Sequence, residues 1–292
     1  MNGDPRPRVV QVGAREIVAV GLPYSFWGDI SHRCMTVSWP LFIAGVTGLF
    51  VLLNCLFALV YGLGDAPIAN SGGAFLENLF FSIETFTTVG YGDMHPRTPF
   101  GHAVASVELY AGVLTNALAT GLIIFRFTRA RPRILFADVA TVATHDGRPS
   151  LMVRLANQRL NAISSAQARA WVLVSYVTAE GVGFRRFEEL KLLREHSPLF
   201  TLSWTVMHPI DEASPLWGLD ADALAAQDAT FIVTIEGYDE TSGQTVRARK
   251  VYGPGEVRFG ARFADIIEPS DGARTVLNYE RFHHVLEDGA EG

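Results

Sequence analysis

The sequence predicts a chain of two classes joined end to end, membrane α followed by all-β. Three observations carry that reading. Two apolar runs are each long enough to cross a bilayer, and between them lies a shorter apolar run that cannot cross and ends in TTVGYGD, residues 87–93. After Arg133 the hydropathy breaks into short β-branched runs separated by Gly, Pro, Asp and Asn. The expected organisation is a leader over 1–36, a membrane domain over 37–129 and a soluble domain over 130–292. Within the membrane domain the first span covers 37–63, the re-entrant segment 64–98 and the second span 99–129.

The first span comes from the 27 residues Val37 to Leu63, which carry no formal charge, where about 20 suffice to cross the hydrocarbon. A cleaved signal peptide is a poor alternative, because the run is too long and comes after a polar leader. The second run, Pro99 to Phe125, carries only His102 and Glu108. Arg6, Arg8, Arg15 and Arg33 precede the first span and Arg126, Arg129, Arg131 and Arg133 come after the second, whereas only Arg97 lies between. The positive-inside rule therefore predicts that both termini are cytoplasmic.

Composition excludes several classes. A net charge of −6 over 292 residues argues against a nucleic-acid partner, which usually selects a basic face. Cys34 and Cys55 have neither zinc-site spacing nor the makings of a disulfide framework. No Walker A loop, HExxH, GxSxG or dinucleotide fingerprint is present, so neither an enzyme nor a nucleotide-sensing domain is expected. His208 and Asp211 lack a nucleophile or metal set and read as structural. No cofactor is expected.

The segment Phe75 to Thr87 makes about three turns, suitable for a re-entrant helix. Lipid cannot satisfy irregular backbone, so the residues C-terminal to this helix must be shielded by protein or line a watery path. Turning successive carbonyls of an extended run to one side requires alternate residues at positive φ, which Gly90 and Gly92 adopt at little cost. Thr88, Val89, Gly90, Tyr91 and Gly92 resemble the potassium-channel signature. That resemblance implies four chains whose carbonyl rings, with the Thr88 hydroxyl, replace the hydration of K+ at Thr88, Val89, Gly90 and Tyr91. The C-terminal end of the re-entrant helix, with its negative dipole, favours a cation.

In the soluble part, LMVRLAN, ARAWVLVSYV, TFIVTIEGY and QTVRARKVY read as strands of an antiparallel sandwich or barrel, and LDADALAAQ, capped by Asp220, as a helix. RLANQR (154–159), LFTLSWTVMHPIDEASPLWG (199–218) and the region from Phe231 through ARFADI closely resemble the cytoplasmic domain of inward-rectifier potassium channels. TVGYGDMHP and the short turret GDAPIANSGG resemble the prokaryotic (KirBac) branch of that family. The likeness runs from about Trp27 to Phe282. It implies a homotetramer in the bacterial inner membrane, with a cytoplasmic immunoglobulin-like β-sandwich that extends the pore.

The remaining site residues come from spacing and resemblance together. Glu84 and Asp93 flank the filter and match a carboxylate pair of some bacterial channels, expected to titrate together; Met94 stands where animal members carry an arginine. Gly112, Asn116, Thr120 and Ile124 recur every four residues and trace one helix face. That face is assigned to the pore, with Asn116 and Thr120 lining the cavity. Gly112 reads as a hinge or a close-packing contact. Ile124 reads as the hydrophobic gate, with Phe125 or Phe127 as alternatives. The resemblance makes Asn116 the position that sets block by Mg2+ or polyamines, weak for an amide. SFWGDISHRCMT reads as an interfacial helix. Arg126, Arg129, Arg131 and Arg133 lie at phosphate depth as contacts for anionic phospholipid, which the resemblance implies is inhibitory. A membrane-anchored β-sandwich receptor without conduction is the competing reading.

Overall fold

A computed structural model describes residues 8–12, 15–20, 30–130, 132–268 and 275–287. They divide into two compact units, one holding residues 30–129 and the other the N-terminal strands with residues 130 onward. Those first strands, β1 (Arg8–Val12) and β2 (Arg15–Ala19), form an antiparallel hairpin, where the sequence predicts only a polar leader. Phe26, Trp27, Gly28 and Asp29 of the expected interfacial helix lie outside the described residues, and its second half is the short helix α1 (Ile30–Thr36).

Two helices of the first unit are long and apolar enough to cross a membrane. α2 (Trp39–Tyr61) starts after an extended Ser38 with Pro40 in its first turn, where a missing N–H costs nothing. Its 23 residues rise about 35 Å at about 1.5 Å each, against a hydrocarbon core of about 30 Å. α4 (Pro99–Thr128) begins on a capped turn, with the Thr98 hydroxyl accepting from the Gly101 N–H at 3.1 Å. Between them α3 (Phe75–Phe86) has 12 residues and cannot span. The two-residue strands β3 (Ile68–Ala69) and β4 (His95–Pro96) pair across the mouth of this segment. The helices meet through Tyr61 and Phe81, whose rings pack edge to face at 5.2 Å, and through Phe50 and Phe86 at 5.7 Å.

The second unit continues with β5 (Ile134–Phe136), β6 (Ala140–His145), β7 (Arg148–Asn157), β8 (Ile163–Val177), β9 (Gly183–Leu190), β10 (His196–Phe200) and β11 (Ser203–Pro209). After the one-and-a-half-turn helix α5 (Ala221–Ala226) come β12 (Thr230–Asp239), β13 (Gln244–Tyr252), β14 (Val257–Phe259), β15 (Ala261–Phe263), β16 (Ile267–Glu268), β17 (Val276–Leu277) and β18 (Val285–Glu287). One sheet runs β10-β8-β12-β13 with β9 also on β8, and the other β11-β7-β6-β14 with β5 also on β7. Their inner faces form one core, to which β7 gives Leu151, Val153 and Leu155, β8 gives Ala166, Ala168 and Ala170, and β12 gives Phe231, Val233 and Ile235. The step of two is the strand period. Burying each large side chain stabilises by about 1.5–3 kcal/mol.

The sandwich is antiparallel except where β14 runs parallel to β6, because the chain crosses over through a short 3-10 turn (Pro254–Glu256) instead of a hairpin. Asp220 caps α5, accepting from the Ala223 N–H at 2.8 Å. Buried Arg154 ties the C-terminal segment to β7, donating to the carbonyls of Ala264 (2.8 Å) and Phe282 (3.4 Å) and lying over the Phe263 ring.

Candidate functional site

The C-terminal end of α3 and the segment after it make the first half of the site. α3 stops because Thr88 leaves the helical region at φ 62°, a left-handed conformation that costs a β-branched residue about 1–2 kcal/mol. The carbonyl of Glu84 then receives two N–H groups of the next residues, Val89 at 3.0 Å and Gly90 at 3.3 Å. Positive φ recurs at Gly90 (53°) and Gly92 (90°), with the alternation that turns successive carbonyls to one side. Among the described residues nothing donates to the carbonyls of Thr88, Val89, Gly90 or Tyr91. Residues 88–91 are all exposed in the single chain, so these four carbonyls are open to whatever lies beside them. Two apolar side chains of the same string are bare in the single chain, Tyr91 at 77% and Val89 at 54% exposure.

The flanks of this segment are fastened. Asn70 donates to the Asp93 carbonyl at 2.6 Å, and the Arg97 N–H donates to the Pro67 carbonyl at 2.7 Å. Glu84 is half-buried near the end of α3, and Asp93 is exposed just beyond Gly92. Met94 packs against the apolar cluster of Tyr61, Ile68 and Phe81, which leaves its position no role in an ion pair.

On α4, Asn116, Thr120 and Ile124 are all exposed in the single chain, and Asn116 makes no hydrogen bond to the described residues. Gly112 is different: it is buried, and a Cβ there would overlap the carbonyl oxygen of Phe86 at the end of α3. Of the two roles read for Gly112, the geometry displays close packing, and α4 runs unbroken through it.

Arg126 departs from the expected lipid contact. It is buried, with its guanidinium donating to the carbonyls of Cys34 and of Val37 (2.7 Å) and stacked on Trp39 and Phe42 at 4.8 and 4.5 Å. Two carbonyls at the end of α1 that lack helical partners attract it inward. Arg129 and Arg133 are exposed, and Arg131 lies outside the described residues.

His208 is buried; its Nδ1–H donates to the Lys191 carbonyl and its Nε2 accepts from the Ser214 hydroxyl, both at 2.8 Å. Burial outweighs the Lys191 carbonyl and Asp211 and holds its pKa below the ordinary value. Ser214 is itself buried and its Oγ also accepts from the Leu216 N–H at 3.0 Å, so imidazole and hydroxyl are locked together as a structural pair.

Sequence reasoning missed the polar cluster behind α3. Tyr61 donates to Glu108 Oε2 at 2.7 Å, and Ser82 bonds both Glu108 Oε1 and Asn54. The available signal was a glutamate and an asparagine inside apolar spans, residues that are rare there and face protein or water.

Residues 134–289 match the family model described as the inward rectifier potassium channel C-terminal domain, and residues 46–129 match the model described as an ion channel. The chain is 38% identical over 285 residues to the inward rectifier potassium channel Kirbac3.1 of Paramagnetospirillum magnetotacticum, covering 97% of each. It is 29% identical over 314 residues to the mouse G protein-activated inward rectifier potassium channel 3, covering 97% of this chain and 76% of the relative. Human ATP-sensitive inward rectifier potassium channel 14 is 30% identical over 290 residues, covering 90% and 65%. Two long apolar helices, a short pore helix with an open-carbonyl segment between them, and a β-rich domain thus coincide with matches over nearly the whole chain: it belongs to the inward-rectifier potassium channel family and is a membrane channel, not an enzyme.

Proposed function

We propose that four copies of this chain surround one pore and that the carbonyls of Thr88, Val89, Gly90 and Tyr91, with the Thr88 hydroxyl, replace the water shell of K+. The observation that carries this reading is the row of unpaired carbonyls among residues at alternating positive φ. A receptor without conduction has no use for such a row. The exposed Tyr91 and Val89 would be covered by neighbouring copies. Gly92 ends the filter, and Glu84 and Asp93 would support it from behind.

Below the filter, Asn116 and Thr120 would line the cavity, and Ile124 would close it by dewetting. Its neutral amide makes Asn116 a weak site for Mg2+ or polyamine; Asn116→Asp should strengthen block by spermine, and unchanged block would remove the residue from the pore. Arg129, Arg131 and Arg133 would bind anionic phospholipid at about 1 kcal/mol each and, through the inner helix, favour the closed state. The arginine distribution supports cytoplasmic termini and a cytoplasmic β domain in a bacterial inner membrane.

Rubidium uptake into liposomes holding the purified protein tests this directly. Uptake that barium blocks, that excess sodium does not compete away and that phosphoinositide lowers is expected. Equal passage of sodium, or a protein that stays a single protomer, would overturn the proposal.

A further inference from the structure

Glu108 sits in the first half of α4 with 0% exposure, and its neighbours Tyr61, Ser82 and Asn54 are buried with it. The proton count around Ser82 is the informative feature. Its hydroxyl oxygen contacts Glu108 Oε1, Asn54 Oδ1 at 3.1 Å and the Asn54 carbonyl at 3.2 Å. The Asn54 amide cannot turn over, because its Nδ2 donates to the Phe50 carbonyl at 2.7 Å. A serine has one proton to donate, and here it faces three acceptors. Were Glu108 ionised, it would take that proton, and Asn54 Oδ1 would be left facing a lone pair in a site shut off from water. With a proton on Glu108 Oε1 the chain closes: Glu108 donates to Ser82, Ser82 donates to Asn54, and Tyr61 donates to Glu108 Oε2 at 2.7 Å.

We propose that Glu108 is kept as a neutral acid whose hydrogen bond to Ser82 fixes the pore helix between the two spans, making Glu108 a positioning residue for conduction. This rests on the reading of residues 88–92 as the filter. Ser82 stands two residues before Glu84, whose carbonyl holds Val89 and Gly90. One turn beyond Glu108, Gly112 meets the carbonyl of Phe86 at the end of α3. One face of α4 therefore grips α3 at two levels, and the first of these grips passes through the Glu108 proton. Burying a neutral, fully bonded acid costs far less than burying a carboxylate.

The test uses the full chain in liposomes. Infrared difference spectra between the wild type and Glu108→Gln at neutral pH should show loss of the carbonyl stretch of a protonated carboxyl; loss of carboxylate bands instead overturns the proposal. In rubidium flux, Glu108→Gln should stay within about twofold of the wild type, since an amide can donate to Ser82 and accept from Tyr61. Glu108→Ala and Ser82→Ala should each lower rubidium-over-sodium preference about tenfold. If Glu108→Ala does not assemble, Ser82→Ala and Glu108→Gln still decide, and a glutamine variant as impaired as Ser82→Ala overturns the proposal. A wild type that does not prefer rubidium would remove the filter reading, whereas the infrared band reports Glu108 whether or not the protein conducts.

Discussion

The helical unit and the β unit solve burial in opposite senses. In the β unit the inside is apolar, with Leu155, Val172, Phe231 and Val233 all but inaccessible, and the strands alternate outward to charges such as Arg247 and Glu236. In the helical unit Leu41, Ile43, Leu52, Leu56 and Leu59 point outward, while Asn54, Asn78, Ser82 and Glu108 are buried. Water rewards the first arrangement, because apolar area removed from it is the main driving force. Hydrocarbon offers no such reward for bringing leucines together, so helices that sit in it are joined by polar contacts and close backbone approaches. Gly112 against Phe86 and Ser82 against Glu108 are those two devices side by side.

The largest expected effect tests the site that this contrast supports. Gly90→Ala forces an L side chain to φ 53°, at about 1–2 kcal/mol per chain, and should abolish rubidium selectivity in liposome flux. Next, Phe231→Ala should cost the β unit about 3–5 kcal/mol, read from thermal unfolding of the whole protein in detergent. Leu52→Ala, at a residue 64% exposed on α2, should cost under about 0.5 kcal/mol. Equal losses would erase the distinction between the two interiors. Arg126→Ala leaves the carbonyls of Cys34 and Val37 without their donor and should lower the stability of the helical unit by about 2 kcal/mol. Arg129→Ala should instead weaken the phosphoinositide effect on flux and leave melting unchanged.

The smallest effect is a pH slope in the β unit. Above about pH 6.5 His208 is neutral both folded and unfolded and contributes no slope. As pH falls through that value the unfolded chain takes up a proton that folded His208, its pKa held down by burial, does not. Stability should therefore decline with acidification by up to about 1.4 kcal/mol per pH unit. A His208→Gln protein that keeps this slope would show that another group causes it.

Much of the architecture was readable because its causes are local. An uncharged run of 27 residues declares a span, Asp220 ahead of Ala221 declares a helix start, and glycines two apart after a short apolar run declare unusual backbone. Other features depend on partners distant in the chain. Arg126 and Arg129 are one turn apart and chemically identical, yet only Arg126 meets Trp39, Phe42 and two free carbonyls. The β14–β6 pairing joins residues more than a hundred apart, with no hairpin signal to announce it.

Local charge, hydropathy and conformational preference were therefore enough for the sequence alone to establish two spans, a re-entrant segment with glycines at its turning points, and a β-rich second domain. Only tertiary structure decided that Gly112 is a packing contact, that Arg126 turns inward, and that Glu108 and Asn54 meet on one buried serine hydroxyl. Each of these depends on which groups from distant segments come within hydrogen-bonding or van der Waals reach, and the energies of such contacts are set by three-dimensional proximity that no local window of residues encodes.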